Sequence, residues 1–267
     1  MSKRSFSKIT STVSMNTRSK RPHLSGGLVN GNTIRLNTIA KHTRSQQPSL
    51  YEGLLYTNNV PWISATKLYN YMTDDPLIDW LENTSNKKRV RSDSIDNSTI
   101  TETFTDFIKR KGIDFEKHVI NYVHRNIHPV VKVSDYYTME GVKKAKELMS
   151  SGVPILHSVP LCHQASKTYG IADLVVRSDY LLSISPNVVL DTENLSHGSR
   201  LSPDYHYVII DIKYSTLQLN SKGRCLLNQG SMAAYKSQVW IYNRALSDFQ
   251  RYTPKSAYIL GRRWSCT

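Results

Sequence analysis

Two charged residues interrupt an otherwise apolar segment, HYVIIDIKYS, at residues 206–215. The branched aliphatic residues of this segment predict a buried β-strand, yet Asp211 and Lys213 lie within it. Because strand side chains alternate between faces, both charges project on the same side as Ile209 and Ser215. A carboxylate and an ammonium group so placed form either an exposed ion pair or part of a catalytic site. The segment by itself favours neither.

Two further carboxylates occupy positions that favour burial. Glu116 lies on the apolar stripe that Ile120 and Val123 define along a predicted helix. Asp173 lies within a predicted strand, YGIADLVVR. Taken singly, Glu116 can pair with a neighbouring cation and Asp173 can begin a turn. Taken with Asp211, they require more compensating positive charge than one lysine supplies.

The simplest account of the three carboxylates is a divalent metal site formed by Glu116, Asp173 and Asp211, beside Lys213. Ligands that are all oxygen suit Mg²⁺ or Mn²⁺ rather than zinc, and the backbone carbonyl of Ile212 is a further candidate ligand. Such an ion polarises a phosphodiester and lowers the pKa of a bound water. Lys213 would orient that water or stabilise the charge of the transition state. The set therefore predicts phosphodiester hydrolysis.

The charge of the chain favours a polyanionic partner. The 267 residues carry a formal net charge of +14, and residues 1–51 contain nine Lys or Arg and no Asp or Glu. Cationic chains attract nucleic acid because binding releases condensed counterions. We therefore expect nucleic acid, DNA foremost, as the partner, although such charge can also serve only to keep a surface solvated. The sequence indicates no particular protein partner.

The sequence also excludes some classes of protein. No segment has the roughly 18 consecutive apolar residues that a membrane span requires, and the N-terminus lacks the apolar core of a secretory signal. Cys162, Cys225 and Cys266 are far apart, which predicts neither a disulfide framework nor a zinc site. We expect an intracellular protein, cytoplasmic or nuclear, with no membrane partner. The basic, Ser/Thr-rich N-terminus leaves mitochondrial targeting as an alternative.

Composition divides the chain into a tail and one domain. Residues 1–48 are basic, rich in Ser, Thr and Asn, and are expected to be a disordered tail. The domain is expected at 49–267, with a helical N-terminal segment at 62–83 and a polar linker at 84–102. The core is expected at 103–262, where helical and strand patterns follow one another. These patterns predict an α/β fold, with a central mixed β-sheet flanked by helices.

The order of these residues resembles the PD-(D/E)XK nuclease superfamily. A helix Glu (Glu116), a strand GxxD ending at Asp173 and a strand DxK at Asp211 and Lys213 follow one another along the chain. The segment YKSQVWIY then contains QxxxY at Gln238 and Tyr242, which resembles the RecB-like branch of that superfamily. The resemblance covers roughly residues 50–262.

The resemblance implies a restriction-endonuclease-like core and a metal-dependent deoxyribonuclease, of the kind that serves DNA recombination or repair. It implies that Glu116, Asp173 and Asp211 are metal ligands and that Lys213 is the catalytic lysine. It further implies that the helix carrying Gln238 and Tyr242 faces the active site and contacts the substrate strand. Tyr235 lies one turn before Gln238 on the same face and is expected to contribute to that contact.

This chain departs from some RecB-like nucleases in its cysteines and lacks the motif of a motor. Relatives with an iron–sulfur cluster have one Cys in the N-terminal helical segment and three near the C-terminus, whereas here only Cys266 lies near the end. We expect no iron–sulfur cluster. No GxxxxGK[ST] loop occurs, so we expect no bound nucleotide.

Two alternatives to a DNA nuclease remain open at this point: a nuclease-fold protein that binds nucleic acid without turnover, and an RNase that uses the same site. His157 and His163 are weaker candidates for the active site, because a lone strand histidine is more often structural. Several cations are candidate phosphate contacts: Arg177, Lys222, Arg224, Arg262 and Arg263. The polar segment 183–204 is expected to be a surface insertion.

Overall fold

The computed structural model describes residues 62–75, 77, 103–136, 138–186 and 195–266, together with the backbone of 10–14. The predicted linker 84–102, most of the tail 1–48 and part of the insertion 183–204 lie outside these residues.

Strands and helices follow the order that the sequence predicts from Phe104 onward. The strands are β1 (Thr10–Ser14), β2 (Ile63–Ser64), β3 (Val131–Lys132), β4 (Ile155–His163), β5 (Thr168–Arg177), β6 (Tyr207–Leu219) and β7 (Ser256–Cys266). The helices are α1 (Leu68–Met72), α2 (Phe104–Asn126), α3 (Met139–Ser150), α4 (Leu181–Ile184) and α5 (Ser231–Gln250). Short 3₁₀ turns at Ala65–Lys67 and Ser178–Tyr180 precede α1 and α4.

The described strands form one mixed sheet in the order β1-β7-β6-β5-β4-β3, and β2 adds to β5. The pairs β6–β7, β3–β4 and β2–β5 are parallel, whereas β1–β7, β4–β5 and β5–β6 are antiparallel. Helices cover both faces: α3 and α5 pack on one side, and α2 and α4 pack on the other. The prediction of an α/β fold with a central mixed sheet flanked by helices is confirmed.

One strand lies where the sequence predicts disorder. Thr10–Ser14 pair antiparallel with Ser256–Leu260 of β7, so the expectation of a structureless tail is wrong for these five residues. The pattern TSTVS is too short and too polar to predict a strand by itself. The five residues form a strand because the edge of β7 has unpaired backbone N–H and C=O groups with which they can form hydrogen bonds.

Local signals explain where the main helices begin and end. Thr103 accepts a hydrogen bond from the backbone N–H of Asp106 and caps α2, the helix that carries Glu116. Thr138 caps α3 in the same way through Gly141. After α3 the chain continues through Gly152, whose φ of +78° suits glycine. Ser64 caps the turn before α1 through Lys67.

Candidate active site

The central feature of the site is the point where β5 and β6 separate. Their antiparallel ladder runs from Arg177 opposite Tyr207 to Leu174 opposite Ile210, and Asp173 and Asp211 are the next residues on each strand. Beyond this point the Oδ2 of Asp173 accepts a hydrogen bond from the backbone N–H of Ile212 at 2.6 Å. A side chain thus replaces the next ladder contact, and it brings the two carboxylates to one place.

The side chains of β5 do not alternate regularly between the two faces of the sheet around Asp173. Ala172 and Val175 pack in the same core cluster beneath α5, although they are three residues apart on β5. On β4, Ser158 lies between the pairs His157–Leu174 and Val159–Ala172, opposite Asp173, and has a φ of +54°. A non-glycine residue with positive φ inside a strand is strained, and such strain concentrates at functional sites. Strict alternation along the strand does not predict this irregularity.

Asp211 and Lys213 form an ion pair, on one face of β6 as the alternation predicts. Asp211 is fully buried, and its Oδ2 lies 2.7 Å from the Nζ of Lys213, whose side chain is 20 % exposed. Burial lowers the pKa of Lys213, but the charges of Asp211 and Asp173 outweigh it, so its pKa lies above the usual value. The lysine therefore stays protonated. The Oδ1 of Asp211 is buried and has no hydrogen-bond partner among the described residues.

The negative charge of Asp173 is unfavourable in its buried position beside Asp211. Burial raises its pKa well above the usual value, and the neighbouring charge of Asp211 raises it further. Glu116 acts in the same direction, whereas Lys213 and the N–H of Ile212 lower the pKa by less. One lysine therefore does not compensate the negative charge gathered here.

We predict that Asp173→Asn stabilises the metal-free protein by about 1 kcal/mol at neutral pH. The amide oxygen can still accept from Ile212, while the buried charge is removed. Since the pKa of Asp173 is raised on folding, its cost is absent below the unfolded-state value of 3.8 and grows as pH rises above it. The gain, measured as the denaturant midpoint, should therefore vanish in acid.

A matched control for this prediction is Asp179→Asn. The carboxylate of Asp179 is 41 % exposed and is paired with Arg177 at 2.7 Å. Its neutralisation should change the free energy of unfolding by less than about 1 kcal/mol, and not favourably. A loss of stability in Asp173→Asn at pH 7 would contradict the description of Asp173 as an uncompensated charge.

Glu116 is held by His157, which sequence patterns indicate only as a weaker candidate for the site. The Nε2 of His157 lies 3.0 Å from the Oε1 of Glu116 and 3.1 Å from the Oγ of Ser158. His157 is 15 % exposed and Glu116 is 36 % exposed, so the pair lies at the rim of the site. The two residues are 41 positions apart, and only the placement of α2 over β4 joins them. His163, by contrast, bonds Ser166 in the turn between β4 and β5.

Helix α5 packs on the face of the sheet to which Lys213 points, opposite α2, and carries Tyr235, Gln238 and Tyr242. The Nζ of Lys213 lies 5.5 Å from the ring centre of Tyr235. The Nε2 of Gln238 donates to the hydroxyl of Tyr242 at 2.8 Å. Tyr242 is only 2 % exposed, and a Cβ at Gly170 would overlap its ring. The burial of Tyr242 argues against the direct substrate contact that the resemblance implies for it, and favours a role in positioning Gln238.

For the cleavage of nucleic acid that the resemblance implies, we expect Tyr242→Phe to lower the rate by about tenfold, less than the loss of a carboxylate. The ring still fills the space beside Gly170, but Gln238 loses the hydroxyl that holds its amide. Gln238→Ala should have a comparable effect, and the double variant should be no worse than the more severe single variant. Steady-state rates with one oligonucleotide substrate test this. Independent, multiplying effects would contradict the shared role.

The donor chemistry of the site fits Mg²⁺ or Mn²⁺. Asp173, Asp211 and Glu116 offer carboxylate oxygens, and the unpartnered Oδ1 of Asp211 is a buried acceptor that a cation would satisfy. Among the described residues, however, no three His, Cys, Asp or Glu side chains converge into a ready metal-binding group. The proposed ligands are neighbours, and binding would have to draw them together.

One candidate phosphate contact is already engaged. Arg177 donates to both carboxylate oxygens of Asp179, at 3.1 and 2.7 Å, and to the carbonyl of Gly152 at 3.0 Å. Its guanidinium also stacks on Tyr205 at 3.9 Å. Arg177 therefore joins the start of α4 to the end of α3, which is a structural role.

Comparisons with family models, with curated proteins and with solved structures each find no match. No helix within the described ranges is long and apolar enough to cross a membrane.

Proposed function

We propose that the protein is a metal-dependent nuclease of the PD-(D/E)XK superfamily, RecB-like branch, which hydrolyses phosphodiester bonds of DNA. The observation that carries the proposal is the group of Asp173, Asp211 and Lys213 where β5 and β6 separate. Asp211 is fully buried there and has an unpartnered carboxylate oxygen. A group of charges that destabilises the fold is expected where the chemistry requires it.

The metal would be held by Glu116, Asp173, Asp211 and the backbone carbonyl of Ile212. When bound, Mg²⁺ or Mn²⁺ would polarise the phosphodiester and lower the pKa of the attacking water. The same cation would offset the mutual repulsion of the three carboxylates. We propose no iron–sulfur cluster and no nucleotide for this site.

The side chains have separate tasks in this proposal. Lys213, kept protonated by Asp211, orients the attacking water or stabilises the negative charge that develops on the phosphate. His157 fixes the carboxylate of Glu116 at the rim of the site. Gln238 presents its amide to the substrate strand, in a position set by the buried Tyr242. Tyr235 lies beside Lys213 and attracts its ammonium group through the face of its ring.

The direct test is cleavage of linear and circular DNA with Mg²⁺ or Mn²⁺, with EDTA as the control. We expect cleavage that requires the metal and is lost in EDTA. Attack on circular DNA would indicate an endonuclease, and attack on linear DNA alone would indicate an exonuclease. Salt-sensitive binding without cleavage under any of these conditions would favour the non-catalytic alternative. Cleavage confined to RNA in a parallel assay would favour the RNase.

A further inference from the structure

The part of the chain that follows Asp211 is strongly basic. Residues 212–267 contain a single acid, Asp248, and nine cations: Lys213, Lys222, Arg224, Lys236, Arg244, Arg251, Lys255, Arg262 and Arg263. This region forms the second half of β6, α5 and β7. It therefore presents positive charge on the elements that surround the candidate site.

Two residues of this region, Tyr214 and Arg262, contact each other, and Tyr214 also contacts Phe115 of α2. The guanidinium carbon of Arg262 lies 4.7 Å from the ring centre of Tyr214, and its Nη1 is 3.4 Å from the tyrosine hydroxyl. The ring of Phe115 lies 5.8 Å from that of Tyr214 at an angle of 58°. These three residues are termed the Tyr214 cluster. Arg262 forms no ion pair with any described residue.

The Tyr214 cluster is adjacent to the candidate site by direct chain connection. Phe115 precedes Glu116 on α2, and Tyr214 follows Lys213 on β6. Arg262 follows Gly261, the partner of Lys213 in the β6–β7 ladder. The register shifts between Lys213 and Thr216, as in a β-bulge, and bulges commonly re-aim side chains beside active sites.

The composition of the cluster selects its ligand. Phe115 and Tyr214 are only partly buried and Arg262 is exposed, so part of each ring and a cation with no ion-pair partner among the described residues remain accessible. Bases of single strands stack on aromatic rings and on guanidinium planes, irrespective of sequence, and the cation attracts the phosphate beside them. Bases within a duplex are stacked on their neighbours and do not offer this face.

We propose that the Tyr214 cluster binds an unpaired nucleobase next to the scissile phosphate, so that the site takes single-stranded DNA. Tyr214 and Phe115 supply the stacking surface, and Arg262 contacts the adjoining phosphate. The position of that phosphate rests on the proposed function. The binding itself does not, because it requires neither metal nor turnover.

The chain contains a matched control on another surface. Trp240 of α5 is 44 % exposed, and the guanidinium of Arg244 lies 5.4 Å from its ring centre. This pair has the same chemistry as the Tyr214 cluster, yet it lies two residues from Gln238 and so on another face of the helix. A general attraction of DNA to exposed aromatic and basic residues would affect both places alike.

The test is binding of the whole protein to a labelled single-stranded oligonucleotide in EDTA, followed by fluorescence anisotropy. Tyr214→Ala should weaken binding by about tenfold, and Tyr214→Phe should restore most of it. Arg262→Ala should weaken binding and reduce the slope of log affinity against log salt by about one unit. Trp240→Ala and Arg244→Ala should have less than about twofold effects each.

An oligonucleotide with abasic sites distinguishes stacking from charge. Tyr214→Ala should lose little affinity for the abasic strand, because no base remains to stack, whereas Arg262→Ala should still lose affinity. The inference would be overturned if Tyr214→Ala lost as much affinity for the abasic oligonucleotide as for the normal one. It would also be overturned if Trp240→Ala lost as much affinity as Tyr214→Ala. Should Tyr214→Ala fail to fold, the deciding variant is Arg262→Ala, because Arg262 is exposed and its affinity and salt dependence can still be measured.

The inference and the proposed function can fail separately. Base-dependent binding in EDTA, without cleavage in any metal, would retain the cluster and reject the nuclease. Metal-dependent cleavage with unchanged affinity in the Tyr214 and Arg262 variants would retain the nuclease and reject the cluster.

Discussion

Asp211→Asn is expected to lower the proposed metal-dependent DNA cleavage by at least about a hundredfold, while the protein stays folded. Asp211 is fully buried, and the exchange of one oxygen for an amide preserves its shape while removing its charge. Lys213 would lose the negative charge of its partner at 2.7 Å, and the site would lose one of its proposed metal ligands. Both effects act on the reaction, and neither removes apolar packing.

Two further measurements show whether the loss of cleavage comes from the loss of metal binding at this position. Affinity for Mn²⁺, measured by calorimetry without DNA, should fall in Asp211→Asn, which separates metal binding from turnover. Asp204→Asn makes the same chemical change at an exposed position shortly before β6, and should leave cleavage and Mn²⁺ affinity unchanged. If Asp211→Asn cleaves as fast as the wild type, the assigned site is wrong, whatever the fold.

Lys213→Met is expected to destabilise the metal-free protein by about 3 kcal/mol, because it leaves the buried charge of Asp211 unpaired. The methionine fills most of the same volume, so the loss reports on charge rather than on packing. Asp173, whose pKa is already raised by burial and by Asp211, would also lose the cation that partly compensates it. The measurement is the free energy of unfolding by denaturant at neutral pH.

A double-mutant cycle identifies the cause of this loss. Asp211→Asn combined with Lys213→Met removes both charges and should recover most of the stability, giving a coupling energy of about 1–3 kcal/mol. The exposed Lys143, which lies 3.9 Å from Glu140, provides the control, because Lys143→Met should cost less than about 1 kcal/mol. Additive effects of Asp211→Asn and Lys213→Met would contradict the ion pair as the source of stability.

The sequence predicted the elements well wherever local pattern defines them. The apolar stripe of α2 and the aliphatic run of β6 are properties of neighbouring residues, and the structure has a helix and a strand at these places. The same alternation that predicts β6 correctly places Asp211 and Lys213 on one face. It fails around Asp173, where Ala172 and Val175 pack on one face of β5 and the facing Ser158 has a positive φ.

Contacts between distant segments were beyond the reach of sequence patterns. His157 and Glu116 belong to a strand and a helix whose periods say nothing about their mutual placement. The resemblance implies that Tyr242 contacts the substrate, yet its side chain is buried, because Gly170 leaves space in β5 for its ring. The pairing of Thr10–Ser14 with β7 likewise depends on an open edge that only the assembled sheet presents.

The sequence by itself determined the order of the elements, the basic character of the chain and the residue types that can do chemistry. The tertiary structure decided which of them meet. Asp173 and Asp211 come together because the β5–β6 ladder ends at Leu174 and Ile210, and Lys213 stays charged because both carboxylates lie beside it. Burial and proximity are properties of the packed sheet, and they convert isolated charges in a sequence into a candidate active site.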